Sequence, residues 1–581
     1  MNNEQIAEIF FRIADALEIR GDNVFKIRAY RTAARNISEL ARQLSDLYAG
    51  DPGSLDGIEG IGKDLKAKII EMLGTGGLAY YDELMSEFEP GFLDLLNLSG
   101  LGPKKLSKLR KELGINNVDD LEKACKSGRV AELPGMGDKT EAKILESIEH
   151  YRKKQGRLLL PEAYAYARAM IEYLEKPRGL FRKTDIAGSL RRGRETIGDI
   201  DILATVSDPE KAMEHFTGFP GVGSIVAKGA TKSSVSLKGG PQIDLRVVDK
   251  NSYGAALQYF TGSKEHNVKL RHIAKNKGYK LSEYGVFKVT RNGKEVFAAG
   301  GTEREVYKEL GLGFIPPEMR ENRGEIEAAL SGTLPSRLVE LDDLKGDLHL
   351  HTNATDGTAT IKELAEAAKD KGYEYIAITD HSKLIRIAKG MDEKEILAHA
   401  DRIRKVARSV KGLKILAGVE VDILADGTLD LEDYALKELD LVVAAIHSNF
   451  SLDREKQTER ILRCLDNPYV NILAHPSGRL ISTRKGLEAD MDRVFSKAAE
   501  AGVFLEINTH GERIDLNDVN SMRAKELGAG VAINTDAHSV AQMDLMFYGV
   551  VTARRGWLEK KDVLNTHGYD ALIKKIRGRR S

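Results

Sequence analysis

Two cysteines in 581 residues, Cys125 and Cys464, exclude a disulfide framework and a cysteine-rich zinc finger. No run of about 18 apolar residues occurs, which excludes a helical membrane span. The charged, amphipathic start lacks the apolar centre of a signal peptide. Net charge is missing too. The 88 Lys and Arg balance 88 Asp and Glu, so a polycation binding nucleic acid by bulk charge is excluded. Any such contact must be local and geometric. What remains is a chain with 42% hydrophobic residues, too long for one core. It is expected to be cytosolic and divided into several domains.

The central stretch is Gly188-Ser189-Leu190-Arg191-Arg192-Gly193, closing on Gly198-Asp199-Ile200-Asp201-Ile202. It predicts a turn, a helix start and a short strand. Strand side chains alternate, so Asp199 and Asp201 share a face while Ile200 and Ile202 point to the core. Two carboxylates on one face repel unless a cation lies between them, and hard oxygen ligands suit Mg²⁺ or Mn²⁺. Gly188 and Ser189, at a helix start, offer amides and a hydroxyl to a phosphate, beside Arg191 and Arg192. A third carboxylate follows. Val235–Leu237 and Gln242–Val247 predict a hairpin around Lys238-Gly239-Gly240-Pro241, which places Asp244 mid-strand where an uncompensated charge is costly. Three aspartates holding two cations suit in-line attack on phosphorus, that is, nucleotidyl transfer.

The first 160 residues carry 24 Lys and Arg against 26 Asp and Glu. Ile6, Ile9, Phe10, Ile13 and Leu17 recur at helical spacing. Lys26, Arg28, Tyr30 and Arg31 then offer either a base-stacking, phosphate-holding face or merely a basic exposed helix. Next, Gly57-Ile58-Glu59-Gly60-Ile61-Gly62-Lys63 opens a Lys-bearing helix. The pattern returns at Gly100-Leu101-Gly102-Pro103-Lys104 and at Gly135-Met136-Gly137-Asp138-Lys139. Such turns present backbone amides to a DNA phosphate without reading sequence. Glycine C-caps explain one copy easily and three poorly. The segment therefore predicts helix-hairpin-helix motifs.

From residue 341 apolar strands alternate with amphipathic helices, the pattern of a parallel α/β barrel. Seven strands end in polar residues: His349 and His351, His381, Glu420, His447, His475, Glu506 with Asn508, and Asp536 with His538. Barrels of this kind keep their site at the C-terminal strand ends. Six of the 13 histidines lie there, and with Glu420, Asp536 and the loop residue Asp356 they suit Mn²⁺, Zn²⁺ or Fe. Such a centre activates water against phosphate esters. Glu506, Asn508 and His510 stand near it without an assigned role.

On these residues the chain resembles the family X DNA polymerases of bacteria and archaea that carry a C-terminal polymerase-and-histidinol-phosphatase (PHP) domain. The resemblance spans nearly the whole length. It implies a multidomain fold: an α-helical helix-hairpin-helix region, an α+β nucleotidyltransferase palm with thumb, and a (β/α)7 PHP barrel. The implied division is 1–85 lyase-like, 86–160 fingers, 161–250 palm, 251–318 thumb, 319–340 linker and 341–575 PHP. Gly188, Ser189, Arg192 and Gly198 would meet the dNTP phosphates. Tyr259-Phe260-Thr261-Gly262 resembles the segment that packs on the nucleotide sugar. Lys264 follows as a phosphate ligand, and Asn267 with Arg271 faces the minor groove. The nine-ligand, three-metal PHP set is complete. Lys68 stands at the place of the lyase nucleophile, but Asp64, one turn earlier, replaces a lysine that several members have.

The resemblance implies gap filling in DNA repair, with a Mn²⁺-dependent 3′–5′ exonuclease and 3′-phosphatase or abasic-site endonuclease activity. The expected partners are gapped or nicked DNA with a 5′ phosphate and dNTPs. A monomer is expected, nucleoid-associated when bound to DNA. Two rivals are a small-molecule nucleotidyltransferase fused to a histidinol-phosphatase-like hydrolase, and a DNA-binding scaffold with dead sites. The three hairpins oppose the first, and the intact aspartate and histidine sets oppose the second.

Overall fold

The computed structural model describes residues 1–581 except positions 2, 39, 41–43, 51–52, 54, 56–57, 59, 90–91, 99–100, 154–156, 386–387, 482–483, 485 and 580–581. It divides into two compact units, Met1–Arg157 with Lys238–Gly240, and Leu158–Leu237 with Pro241–Ser581. Among the described residues no helix is long and apolar enough to cross a membrane.

The first unit is helical. Asn3–Arg20 packs on Val24–Ser38 and buries Ile6, Phe10, Ile13 and Leu17, as their three- and four-residue spacing dictates. Lys63–Thr75 and Pro103–Leu113 both end on left-handed glycines, Gly76 at φ 75° and Gly114 at φ 67°. The Asn117 side chain starts Val118–Lys126 by accepting from the Asp120 amide at 2.9 Å.

The second unit begins with a five-stranded sheet. Its strands are β1 (Phe181–Ile186), β2 (Asp199–Val206), β3 (Val222–Lys228), β4 (Lys232–Leu237) and β5 (Gln242–Val247), in the order β1-β2-β5-β4-β3. Only β2 and β5 run parallel. Ile200, Ile202, Ile243 and Leu245 face the core, which leaves Asp199, Asp201 and Asp244 on the other face. A three-stranded antiparallel sheet follows, β6 (Tyr279–Ser282), β7 (Gly285–Val289) and β8 (Glu295–Ala299), packed with helices Tyr253–Thr261 and Lys264–Asn276.

The stretch expected to be a linker is instead folded. Arg320, Glu321 and Glu325 are buried, and Glu325–Ser331 is a helix. The charged residues that suggested solvation find partners elsewhere in the fold: Arg320 pairs with Glu303 at 2.6 Å, and Glu325 meets the His266 imidazole at 2.7 Å. Burial alone would raise the Glu303 pKa, but Arg320 and Arg191 pull it down to about 2. A carboxylate held below its unfolded value of about 4.5 stabilises the fold fully above pH 5 and loses that contribution as pH falls through 2. Its share is about 3 kcal/mol. Urea melts of the wild type should therefore weaken steeply between pH 5 and 2, and those of Glu303→Gln less so. Equal slopes would remove this account.

The barrel strands are β9 (Gly346–Leu350), β10 (Tyr375–Ile378), β11 (Lys414–Asp422), β12 (Leu441–Ala445), β13 (Ile472–Leu473), β14 (Phe504–Asn508) and β15 (Val531–Asn534). They pair in chain order, all parallel, and a bridge from Leu350 to Ala537 brings the ends together. Buried on both faces, they carry nearly continuous apolar runs. Capping boxes at Thr360 with Glu363 and at Asp392 with Glu395 start two of the covering helices.

Candidate active sites

In the palm, β2 and β5 lie in a register that sets Asp201 beside Asp244 and Asp199 beside Gln242. Asp199 is exposed, Asp201 half-buried and Asp244 buried. Burial, then the neighbouring charges of Asp199 and Asp244, push the Asp201 carboxyl up to about 7. Lys232, from β4, contacts Asp244 at 2.6 Å, and the Gln242 amide donates to it at 2.8 Å. Three crowded oxygen donors that require positive charge fit a hard divalent cation.

The turn beside them closes tightly. Gly188, at φ 62°, lies against the Asp201 carboxylate, whose carbon is 3.2 Å from where a Cβ would stand. The Ala187 amide donates to the Asp201 carbonyl at 2.8 Å. Ser189 is half-buried and Gly198 exposed. Arg191 grips both Glu303 oxygens at 2.6 and 2.7 Å and the Thr261 hydroxyl at 2.7 Å. Arg192 donates to Glu321 at 3.0 Å and to the Thr261 carbonyl. Tyr259 and Phe260 meet edge to face, with the Arg246 guanidinium 4.1 Å over Phe260. Gly262 has φ 71°, and exposed Lys264 opens the next helix.

Two of the expected nucleotide contacts have protein partners. Arg192 is turned onto Glu321 and Thr261, and Asn267 is buried, donating to the Tyr259 carbonyl and accepting from Gln258, both at 2.7 Å.

In the barrel, the six histidines and three carboxylates meet at the C-terminal strand ends. Glu420 is the hub. One oxygen lies 3.5, 3.5 and 2.8 Å from His349, His351 and His381, and the other 3.4 and 3.2 Å from His447 and His475. Asp536 contacts His351 at 3.1 Å, and Asp356 contacts His381 and His538 at 3.3 Å each. Three sets could each hold a metal ion: His351-Asp356-His381-His538, His349-His351-Asp536 and His381-Glu420-His447. His475 joins through Glu420. Among the described residues, buried nitrogens of His349, His351, His381 and His475 lack hydrogen-bond partners, as ligand lone pairs do. Burial opposes charge on His381 and His447, yet Glu420 and its neighbours raise them to about 10 and about 9. His475 and Asp536 have φ of 29° and 53°, strained for side chains of their kind.

Supporting residues orient this set. Glu506, left without a role by sequence, binds His349 Nδ1 at 2.7 Å and the His475 amide at 2.9 Å, which turns His349 Nε2 inward. Asn508 donates to Glu506 and Asp536, and its carbonyl accepts from the His510 amide. Asp422 meets His447 Nδ1 at 3.2 Å. It shares a strand face with Glu420 two residues earlier, a signal that was available. Asp380, buried under the histidines, accepts from Thr352, Thr355 and His399. His399 lies mid-helix with no local sign of this task.

In the helical unit, Gly62 and Gly102 are extended residues preceding helices Lys63–Thr75 and Pro103–Leu113. Gly60, Gly135 and Gly137 are left-handed, at φ 82°, 83° and 61°. Gly57 and Gly100 lie outside the described residues. Tyr30 is corrected: at 1% exposure it packs on Phe10 and Tyr80 and offers no ring to a base. Exposed Lys26 donates to the Tyr80 hydroxyl at 3.0 Å. Lys68 is held by both Asp64 oxygens at 2.7 Å.

Comparison with known proteins gives matches along the chain. Residues 1–78 match the helix-hairpin-helix domain and 92–149 the SAM-like helix-hairpin-helix tandem. Residues 256–321 match the DNA polymerase beta thumb and 347–510 the PHP domain. Over 580 residues, 99% of this chain and 100% of the relative, identity is 39% with the DNA polymerase/3′-5′ exonuclease PolX of Bacillus subtilis strain 168. A DNA polymerase lambda of Rattus norvegicus is 26% identical across 55% of this chain and 56% of its own. A probable phosphatase of Caldanaerobacter subterraneus subsp. tengcongensis is 33% identical across 33% of this chain and 75% of its own.

Proposed function

The chain belongs to the family X DNA polymerases that carry a PHP domain, and from that premise we propose that it fills short gaps in DNA at the palm and trims DNA 3′ ends at the barrel. The observation that carries the palm half is the register of Asp201 with Asp244 beneath the Gly188 turn. Asp199, Asp201 and Asp244 would hold two Mg²⁺ or Mn²⁺ ions. His349, His351, Asp356, His381, Glu420, His447, His475, Asp536 and His538 would hold up to three ions of Mn²⁺, Zn²⁺ or Fe. When bound, such ions make an oxygen nucleophilic near neutral pH and offset charge building on phosphorus.

The chain's own residues do the rest. The turn at Gly188 and Ser189 presents amides to the triphosphate, Tyr259 and Phe260 flank the sugar, and Lys264 offers a cation to the phosphates. Arg192 and Asn267 fix the Thr261 and Tyr259 carbonyls behind that surface. In the barrel, Glu506 and Asp422 hold imidazoles in the tautomer that faces the centre. The substrate is gapped or nicked DNA with a 5′ phosphate, bound by a monomer in the cytoplasm. Asp64 occupies the Lys68 amine, so lyase chemistry is left out.

The hairpin glycines have a test of their own. Space beside Gly102 is open, and aspartate caps a helix better than glycine does. Gly102→Asp should therefore keep or raise the melting temperature while weakening binding to gapped duplex about tenfold, since it sets a carboxylate before a phosphate. Unchanged affinity would remove this hairpin from the DNA surface.

The deciding experiment follows a labelled primer at a one-nucleotide gap with a 5′ phosphate, in Mg²⁺ and in Mn²⁺. Template-directed extension with dNTPs, together with shortening in Mn²⁺ without them, supports the two-activity reading. Absence of extension, with hydrolysis of small phosphomonoesters alone, would replace it with a small-molecule enzyme.

A further inference from the structure

The palm turn is clamped from behind by the barrel. Helix Met546–Arg555 sets Val551 directly against Gly193, whose Cα has no room for a side chain there. One turn further along, Arg555 is 4% exposed and makes three contacts. It donates to the Arg192 carbonyl at 2.6 Å, to Glu321 at 2.9 Å and to Asp518 at 2.6 Å. Glu321 also takes Arg192 at 3.0 Å and lies 3.6 Å from Arg194, while Asp518 takes Arg323 at 2.8 Å. The continuous path is Asp518, Arg555, Glu321, Arg192 and the Thr261 carbonyl. It joins a barrel helix to both walls of the nucleotide cleft.

Two physical consequences follow. Arg555 fixes the main chain of the turn at Arg192, and through Glu321 it fixes the Arg192 side chain that sets Thr261. Charge adds to this. Four guanidinium groups, Arg192, Arg194, Arg323 and Arg555, face two carboxylates, Glu321 and Asp518. That arrangement leaves net positive charge behind amides that would meet a triphosphate.

We propose that Arg555, a residue of the PHP barrel, is a positioning residue for nucleotide addition: it holds the Gly188–Gly193 turn in the shape that binds the incoming dNTP. The proposal rests on reading the palm as a nucleotidyltransferase site. A domain assigned to hydrolysis thereby sets the affinity of synthesis. Arg555 touches none of the barrel's candidate metal ligands, so hydrolysis is independent of it.

The test uses the full chain with Arg555→Lys and Arg555→Ala on the one-nucleotide gap, varying dNTP. Lysine keeps the charge but cannot reach three acceptors at once. We expect the dNTP KM to rise about tenfold in Arg555→Lys, with kcat within about twofold. The DNA KM and the Mn²⁺-dependent exonuclease rate should stay at wild-type values. Arg555→Ala should show a larger KM effect. Should it fail to fold for want of a partner to buried Glu321 and Asp518, Val551→Ala takes its place, freeing Gly193 without removing a charge. An unchanged dNTP KM in folded Arg555→Lys overturns the proposal. So does a parallel fall of extension and exonuclease rates, which indicates general destabilisation. A wild type that cannot extend primers refutes the nucleotidyltransferase reading itself, a separate outcome seen before any variant is made.

Discussion

Asp201→Asn should abolish nucleotide addition and leave the exonuclease intact. The substitution keeps shape, so Gly188 still fits against the side chain and β2 keeps its register with β5. What it removes is the carboxylate crowded by Asp199 and Asp244, one of the three that would hold the ions. Losing that ligand forfeits several kcal/mol of charge stabilisation in the transition state, on the order of 10³-fold in rate. Stability should move the other way. Three carboxylates crowd one sheet face with Lys232 as the near counter-ion, so removing one relieves repulsion. In chelator the variant should melt at or above the wild-type temperature. Added Mg²⁺ should raise the wild-type melting temperature more than that of the variant. Primer extension, Mn²⁺-dependent shortening and thermal melts on the same preparations decide it. Both activities falling together would mean that one centre serves both reactions and would sink the two-site model.

Much of this was legible because the chemistry is written at short range. Period-two alternation alone put Asp199 and Asp201 on one face, and strand ends gathered six histidines with Glu420 and Asp536, the loop residue Asp356 joining them. The glycine turns repeat with a local signature that needs no partner. Failures came where the deciding partner is distant. Arg320, Glu321 and Glu325 looked like a solvated linker, yet Glu321 meets Arg555 234 positions later. A charged run reads the same whether water or a guanidinium neutralises it. Tyr30 failed for a related reason. Its helix carries both basic and apolar stripes, and a tyrosine suits either, so only the packing on Phe10 and Tyr80 decides its side.

Glu420→Gln should silence the barrel and spare the palm. Glu420 is fully buried and reaches five imidazoles, more than any other residue of the centre. Its two oxygens divide the cluster, one facing His349, His351 and His381, the other His447 and His475. Glutamine keeps the volume but carries no charge, and its amide NH₂ is a donor with no lone pair to offer a metal ion where a carboxylate oxygen stood. Hydrolysis should fall by on the order of 10³, and the metal content of purified protein should drop with it. Metal-free protein should also lose stability. Carboxylates hold charge on His381 and His447, and a buried cation deprived of its partner costs about 3 kcal/mol. Because Glu420 lies in the barrel and the aspartates in the palm, primer extension at a one-nucleotide gap should continue at the wild-type rate. Elemental analysis beside the two activity assays separates the outcomes. A variant that keeps its metal and its exonuclease rate would show that Glu420 is structural and that the centre rests on the histidines with Asp356 and Asp536. A variant that loses metal and hydrolysis while still extending primers would place the whole hydrolytic chemistry on the strand ends of the barrel.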